Sequence, residues 1–223
     1  MGMEASDCFC QFLVACDVLH SCELTPPPDR STRQLTSIFL LQGGGLQYSA
    51  APNNDFSDWV GQSQDFIAVN VGYRLGALGF MAHESLPSAN AGLLDQRLAL
   101  KWVKDNIGAF GGNPDDVTIM GQSGGGYAVV SQMVLYDGAS DGLFKKAIPR
   151  SIQRSPMFRI SELADRNAQF ASLLNCTSGQ DQVDCFQKAS VPALVNAYAN
   201  ITKYVATSGY VFDSNSFITE RRF

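Results

Sequence analysis

The run Gly121-Gln122-Ser123-Gly124-Gly125 concentrates the chemistry of this chain. It fits the pattern G-x-S-x-G and stands between an apolar run, Val117 to Met120, and a helical pattern from Tyr127 to Tyr136. A chain that passes from strand to helix within a few residues strains its backbone at the serine. Side chains at the flanking positions would collide with neighbouring elements, which is the reason for glycine there. The turn lifts the Ser123 hydroxyl off the sheet edge and sets it at a helix N-terminus, whose N–H groups favour a developing negative charge. That chemistry is nucleophilic attack; the bland alternative is a glycine-rich turn carrying an ordinary serine. Gly43-Gly44-Gly45 is the second element. A strand leads into it, so it can offer bare N–H groups to an oxyanion, with the N–H after the nucleophile as a further donor. Its bland alternative is a flexible loop.

Other sites fit poorly. A phosphate-binding Walker A loop needs a Gly-Lys pair, and the chain has none. No G-x-G-x-x-G is spaced for a dinucleotide. With only His20 and His83, no zinc-finger spacing forms. No metal or cofactor is implied.

The elements that must position the serine can be read from apolar texture. Ser37 to Leu41 and Phe66 to Val71 are short apolar runs that end in glycine, and Val117 to Met120 is a third. Phe144 to Ile148 is a candidate fourth strand. Ala91 to Asn106 reads as a helix, with Leu94, Leu98 and Trp102 as its stripe and Leu93 and Val103 beside it. The helix after Ser123 takes Val129, Val130, Met133 and Val134 as its apolar face. Helical patterns recur at 161–174 and 190–202. Continuously apolar strands alternating with helices mean a mostly parallel sheet covered on both faces, an α/β fold.

The 223 residues carry 16 Lys and Arg against 21 Asp and Glu, a net charge of −5. That argues against a nucleic-acid binder, which usually shows a basic face. No apolar run is long enough for a membrane span. The apolar fraction of 45% supports a sizeable core rather than a disordered chain. Residues 1–34 form an irregular stretch or linker with Pro26-Pro27-Pro28, and residues 35–223 form the domain. Phe9 to Leu19 is apolar but broken by Gln11 and Asp17 and lacks a basic lead, so no signal peptide is visible. Asn175-Cys176-Thr177 and Asn200-Ile201-Thr202 are glycosylation triplets; with the close pair Cys176 and Cys185 they favour an oxidising, secretory history.

Several segments together resemble the type-B carboxylesterase/lipase family of the α/β-hydrolase fold, the group that includes cholinesterases and fungal extracellular lipases. They are Gln42 to Gly45, Asn70 to Phe80, Asn90 to Arg97, Phe110 to Pro114 and Gly121 to Ser123. The resemblance is close over roughly residues 36–148 and loose over 155–223. It implies a secreted serine ester hydrolase acting on a small-molecule or lipid ester through an acyl-enzyme. Ser123 is then the nucleophile, and Gly44, Gly45 and Gly124 are the oxyanion-hole donors. Cys176 and Cys185 match a small disulfide-closed loop. Arg74 and Asp95 match a structural ion pair. The chain departs from the family at Gln42, where His or Tyr is usual, at Gly124, where Ala is usual, and at Pro149 and Arg150, where a small-residue turn is usual.

In this family the triad runs Ser, acid, His along the chain. No histidine follows Ser123 here. His83 precedes it and reads as a surface loop residue. Glu162, Asp165, Asp181, Asp184, Asp213 and Glu220 follow it without the context of a triad acid and read as solvated. The chain is thus expected to be an N-terminal portion of the fold, truncated before the last strands, with the acid and His missing. The alternatives are a non-catalytic, cholinesterase-like binding module or an inactive gene fragment.

Overall fold

The computed structural model describes residues 22–25, 34–48, 56–81, 83, 89–152, 157–176, 181–202 and 210–212. Its centre is a five-stranded sheet in the order β1-β3-β2-β4-β5. The strands are β1 (Cys22–Thr25), β2 (Leu35–Leu41), β3 (Phe66–Val71), β4 (Gly112–Gln122) and β5 (Lys146–Arg150). β1 runs antiparallel to β3; the other pairs are parallel. The helices between strands are α1 (Ser57–Ser63), α2 (Gly76–Phe80), α3 (Ala91–Asn106) and α4 (Gly124–Gly138). The parallel α/β architecture expected from the apolar runs is present.

β3 is buried almost throughout, as are the C-terminal halves of β2 and β4, because helices cover them. Phe39, Leu41, Ile67, Val117 and Ile119 are fully enclosed. β5 instead alternates exposed and half-buried residues, as an edge strand does. Residues 1–34 read as irregular, yet Cys22–Thr25 joins the sheet by pairing with β3. Four residues with one apolar position, Leu24, carry too little pattern to announce a strand.

Both long helices match the expected faces only in part: Leu93, Val103 and Val129 are buried as expected. In α3, Leu98 is 47% exposed, while Leu93, Gln96, Leu100 and Val103 are buried. In α4, Met133 and Val134 are more than two-fifths exposed, while Ala128, Val129, Gln132 and Leu135 are buried. The reason is a buried amide pair that joins the two helices. Gln132 Nε2 donates to Leu93 O at 2.9 Å and to Gln96 Oε1 at 3.1 Å. A stripe chosen by apolarity alone omits glutamine and so rotates each helix wrongly.

The remaining elements are β6 (Met157–Arg159), α5 (Ala164–Leu173), α6 (Gln182–Lys188), α7 (Val191–Thr202) and β7 (Tyr210–Phe212). β6 and β7 form a separate two-stranded parallel ribbon. Phe170, Cys176, Phe186, Ala197 and Ile201 make a second apolar cluster, which Ala77 of α2 joins. Among the described residues no helix is long and apolar enough to cross a membrane.

Candidate active site

Parallel strands deliver their following loops to one end of the sheet. β2 and β4 are neighbours, with Leu41 opposite Gly121. The glycine loop after β2 and the turn after β4 therefore emerge side by side. The chain leaves β2 toward β3 on one side and returns to β4 on the other. A crevice opens where the strand order switches in this way.

Ser123 occupies the turn with φ 57° and ψ −122°, between the end of β4 and the start of α4. A serine adopts this region only where its surroundings impose it, at a cost of about 1–3 kcal/mol. The Ser123 N–H donates to Arg150 O at 3.0 Å, and its carbonyl accepts from Tyr127 N–H at 3.0 Å. Arg150 and Pro149 are thus absorbed into β5, where Pro149 pairs with Gly121 and the Arg150 carbonyl braces the turn. A main-chain carbonyl carries no sequence signature, so the bracing role of Arg150 is not readable from the residues alone. Ser123 itself is half-buried.

The turn is possible because three glycines follow. A Cβ on Gly125 would lie 2.0 Å from Leu41 O, so α4 starts in contact with the backbone of β2. A Cβ on Gly124 would lie 2.9 Å from both Cα and N of Gly45. The glycine loop and the helix start are therefore packed backbone to backbone, without a side chain between them. Gly44 and Gly45 have φ of 86° and 62°, a conformation that suits glycine. Gly44 O accepts from Gln47 N and Tyr48 N at 3.0 and 3.2 Å, and Leu46 O accepts from Gly76 N–H at 2.8 Å. The loop is held, not slack.

Beneath the loop, Gln42 is buried and its carbonyl accepts from the Tyr73 hydroxyl at 2.7 Å. Burial pushes the Tyr73 phenol well above its ordinary range. Arg74 and Asp95 form the ion pair that the resemblance implied. Nε donates to Oδ2 at 2.8 Å, Nη2 to Oδ1 at 2.7 Å, and the Arg74 main-chain N–H to Oδ2 at 3.0 Å. The pair ties the end of β3 to α3. Tyr127, in the first turn of α4, is pushed up to about 12 by burial.

His83 and the acidic residues after Ser123 have local partners of their own. His83 is half-buried, 3.1 Å from Gln182 Oε1 and edge-on to the Phe186 ring. It belongs to the contact with α6. Asp181 accepts the first N–H groups of α6, Asp184 pairs with Lys188 at 2.6 Å, and Glu162 accepts the Arg159 N–H at 2.6 Å. Those three and Asp165 are exposed. Asp213 and Glu220 lie outside the described residues. Cys176 and Cys185 are bonded, with Cα atoms 5.8 Å apart. Asn175 and Asn200 are both exposed.

The model of the Carboxylesterase family matches residues 22–221. The chain belongs to the carboxylesterase family. It is 35% identical to a secreted triacylglycerol lipase of Gibberella zeae over 185 residues, covering 77% of this chain and 32% of that protein. It is 38% identical to the para-nitrobenzyl esterase of Bacillus subtilis over 158 residues, covering 69% of this chain and 32% of that protein. It is 35% identical to a Danio rerio acetylcholinesterase over 179 residues, 76% of this chain and 28% of that one. Among solved structures, Aspergillus niger EstA superposes with a TM-score of 0.76 at 33% identity, over 82% of this chain and 36% of that chain. This carboxylesterase-family chain thus spans about a third of the length of these relatives.

Proposed function

We propose that this protein is a serine carboxylic-ester hydrolase working through an acyl-enzyme on Ser123, with a small-molecule or lipid ester as substrate. The observation that carries the reading is the strained Ser123 conformation at a strand-to-helix turn, with the Gly45 backbone packed against Gly124. The Ser123 oxygen attacks the ester carbonyl carbon and its proton passes to a base. The carbonyl oxygen becomes an oxyanion, taken up by N–H groups of Gly44, Gly45 and Gly124. Collapse of that intermediate expels the alcohol, and water then releases the acid.

No histidine follows Ser123 among these 223 residues. A serine hydroxyl without a base is a weak nucleophile. Positioning and an oxyanion hole alone sustain a residual acceleration of about 10³–10⁴ over water. The complete reaction also needs an acid and a histidine, which in the family's order follow the serine. Relatives named as secreted lipases, together with the Cys176–Cys185 bond, support an extracellular site of action.

The test uses a fluorophosphonate probe and a p-nitrophenyl ester. Slow labelling of the chain, abolished in Ser123→Ala, with poor ester turnover, is the expected result. Labelling that survives Ser123→Ala sinks the assignment of the nucleophile. Turnover equal to that of an intact esterase, lost in Ser123→Ala, sinks the incomplete triad instead.

A further inference from the structure

The two glycosylation triplets differ in one covalent respect. Asn175-Cys176-Thr177 has at its centre a cysteine bonded to Cys185. Asn200-Ile201-Thr202 has no such tie and closes α7. Asn175 is exposed, in a left-handed turn with φ 57°, and its N–H donates to Ser172 O at 3.1 Å. Cys176 beside it is 1% exposed, and its N–H donates to Ala171 O at 2.8 Å. It packs in the apolar cluster with Phe170 and Phe186. The asparagine is therefore presented to solvent while its neighbour is fastened inward. Transfer of a glycan needs the triplet drawn out as one segment, so that the asparagine amide and the threonine hydroxyl are held together. A pinned, buried centre opposes that.

We infer that Asn175 carries an N-linked glycan whose occupancy is set by competition with closure of the Cys176–Cys185 bond. The inference rests on the extracellular reading above. In the first reaction a bond forms between Asn175 Nδ2 and the anomeric carbon of an oligosaccharide carried on a lipid diphosphate. The bond from that carbon to the diphosphate oxygen breaks, the lipid diphosphate leaves, and the amide gives up one proton. In the second, the two thiols give up two electrons and two protons to a disulfide-bearing oxidant of the secretory pathway, which becomes a dithiol. The cysteines are nine positions apart, so closure requires no finished fold. Disulfide formation takes seconds to hours, and chains emerge at about 5–20 residues per second. Both products are therefore made. Asn200 competes with the folding of a 12-residue helix, which is marginal in isolation, and with burial of Ile201 in the same apolar cluster, but with no covalent bond. It serves as an internal reference.

The test sends this chain, behind an added secretory leader, through a yeast host. Site occupancy is read by peptide mass spectrometry after enzymatic glycan removal in heavy-oxygen water. Cells are collected as well as medium, so a variant that fails to fold is still read. Partial occupancy of Asn175 is expected in the wild type. Cys185→Ser raises it to near completion while Asn200 changes little, and a dithiothreitol pulse does the same to the unaltered chain. Occupancy of Asn175 that is unchanged by both treatments overturns the inference. So does a rise of Asn175 and Asn200 in step, which marks a general delay in folding. Because the leader is supplied, the outcome does not depend on Ser123 chemistry or on the native route of export.

Discussion

Ser123 sits in a backbone region that serine avoids, and its neighbours explain why it stays there. The chain must leave β4 and begin α4 while touching β2, and only glycine permits that contact. Gly125→Ala places a methyl 2.0 Å from Leu41 O, with backbone on both sides. A loss of about 3 kcal/mol or outright failure to fold is expected, read from urea midpoints and soluble yield. Tyr73 acts one layer lower. Tyr73→Phe removes its hydrogen bond to Gln42 O and strands a buried carbonyl, at a cost of about 1–2 kcal/mol in the same melts. The buried phenols also set an alkaline limit. Tyr73, Tyr127 and Tyr198 are all raised by burial, Tyr127 to about 12. The folded protein keeps protons that the unfolded chain releases near pH ~10. This contribution is complete below that pH and is lost as pH climbs through the folded values. The denaturation midpoint is expected to hold up to about pH 10 and fall above it. Ultraviolet titration should show the Tyr73 phenol ionising only as the protein unfolds; its ionisation in the native state would refute its burial.

At the scale of elements, the ion pair between Arg74 and Asp95 joins the end of β3 to α3. Asp95 is buried and accepts three hydrogen bonds, whereas Arg74 is about one-third exposed. Removing one partner of a fully buried pair costs roughly 3–5 kcal/mol. Solvent access to Arg74 lowers the figure expected for Asp95→Asn to about 2 kcal/mol. Chemical denaturation checks it. A change within error would mean that the pair is only a surface contact. The Gln96–Gln132 contact works differently. It contributes alignment between α3 and α4, and it decides which apolar residues face inward.

For the whole molecule, the exposed feature is β5. Among the described residues it has a partner on one side only, β4, and Ile148 projects into solvent. An edge strand of this kind pairs with other chains unless charges blunt it; Lys146 and Arg150 do so in part. Concentration-dependent association is expected in sedimentation experiments, and Ile148→Lys should reduce it. Association indifferent to Ile148→Lys would place the contact elsewhere.

The strands of the parallel core and the turn at Ser123 were legible in the sequence because their causes are local. Apolar runs, glycine positions and the strand-turn-helix order each follow from residues close together in the chain. β2, β3, α3 and the disposition of glycines around Ser123 all came from such signals. What neighbours in space supply was not legible. The Arg150 carbonyl on the Ser123 N–H, the Tyr73 hydroxyl on Gln42 and the edge pairing of Cys22–Thr25 are contacts between distant segments. The rotation of α3 and α4 about their axes belongs with them, because two buried glutamines outweigh the apolar stripe. Sequence alone singled out the candidate serine and its glycines and the elements that carry them. Tertiary structure decided how those elements face one another, because parallel pairing sends the loops of β2 and β4 to the same end of the sheet.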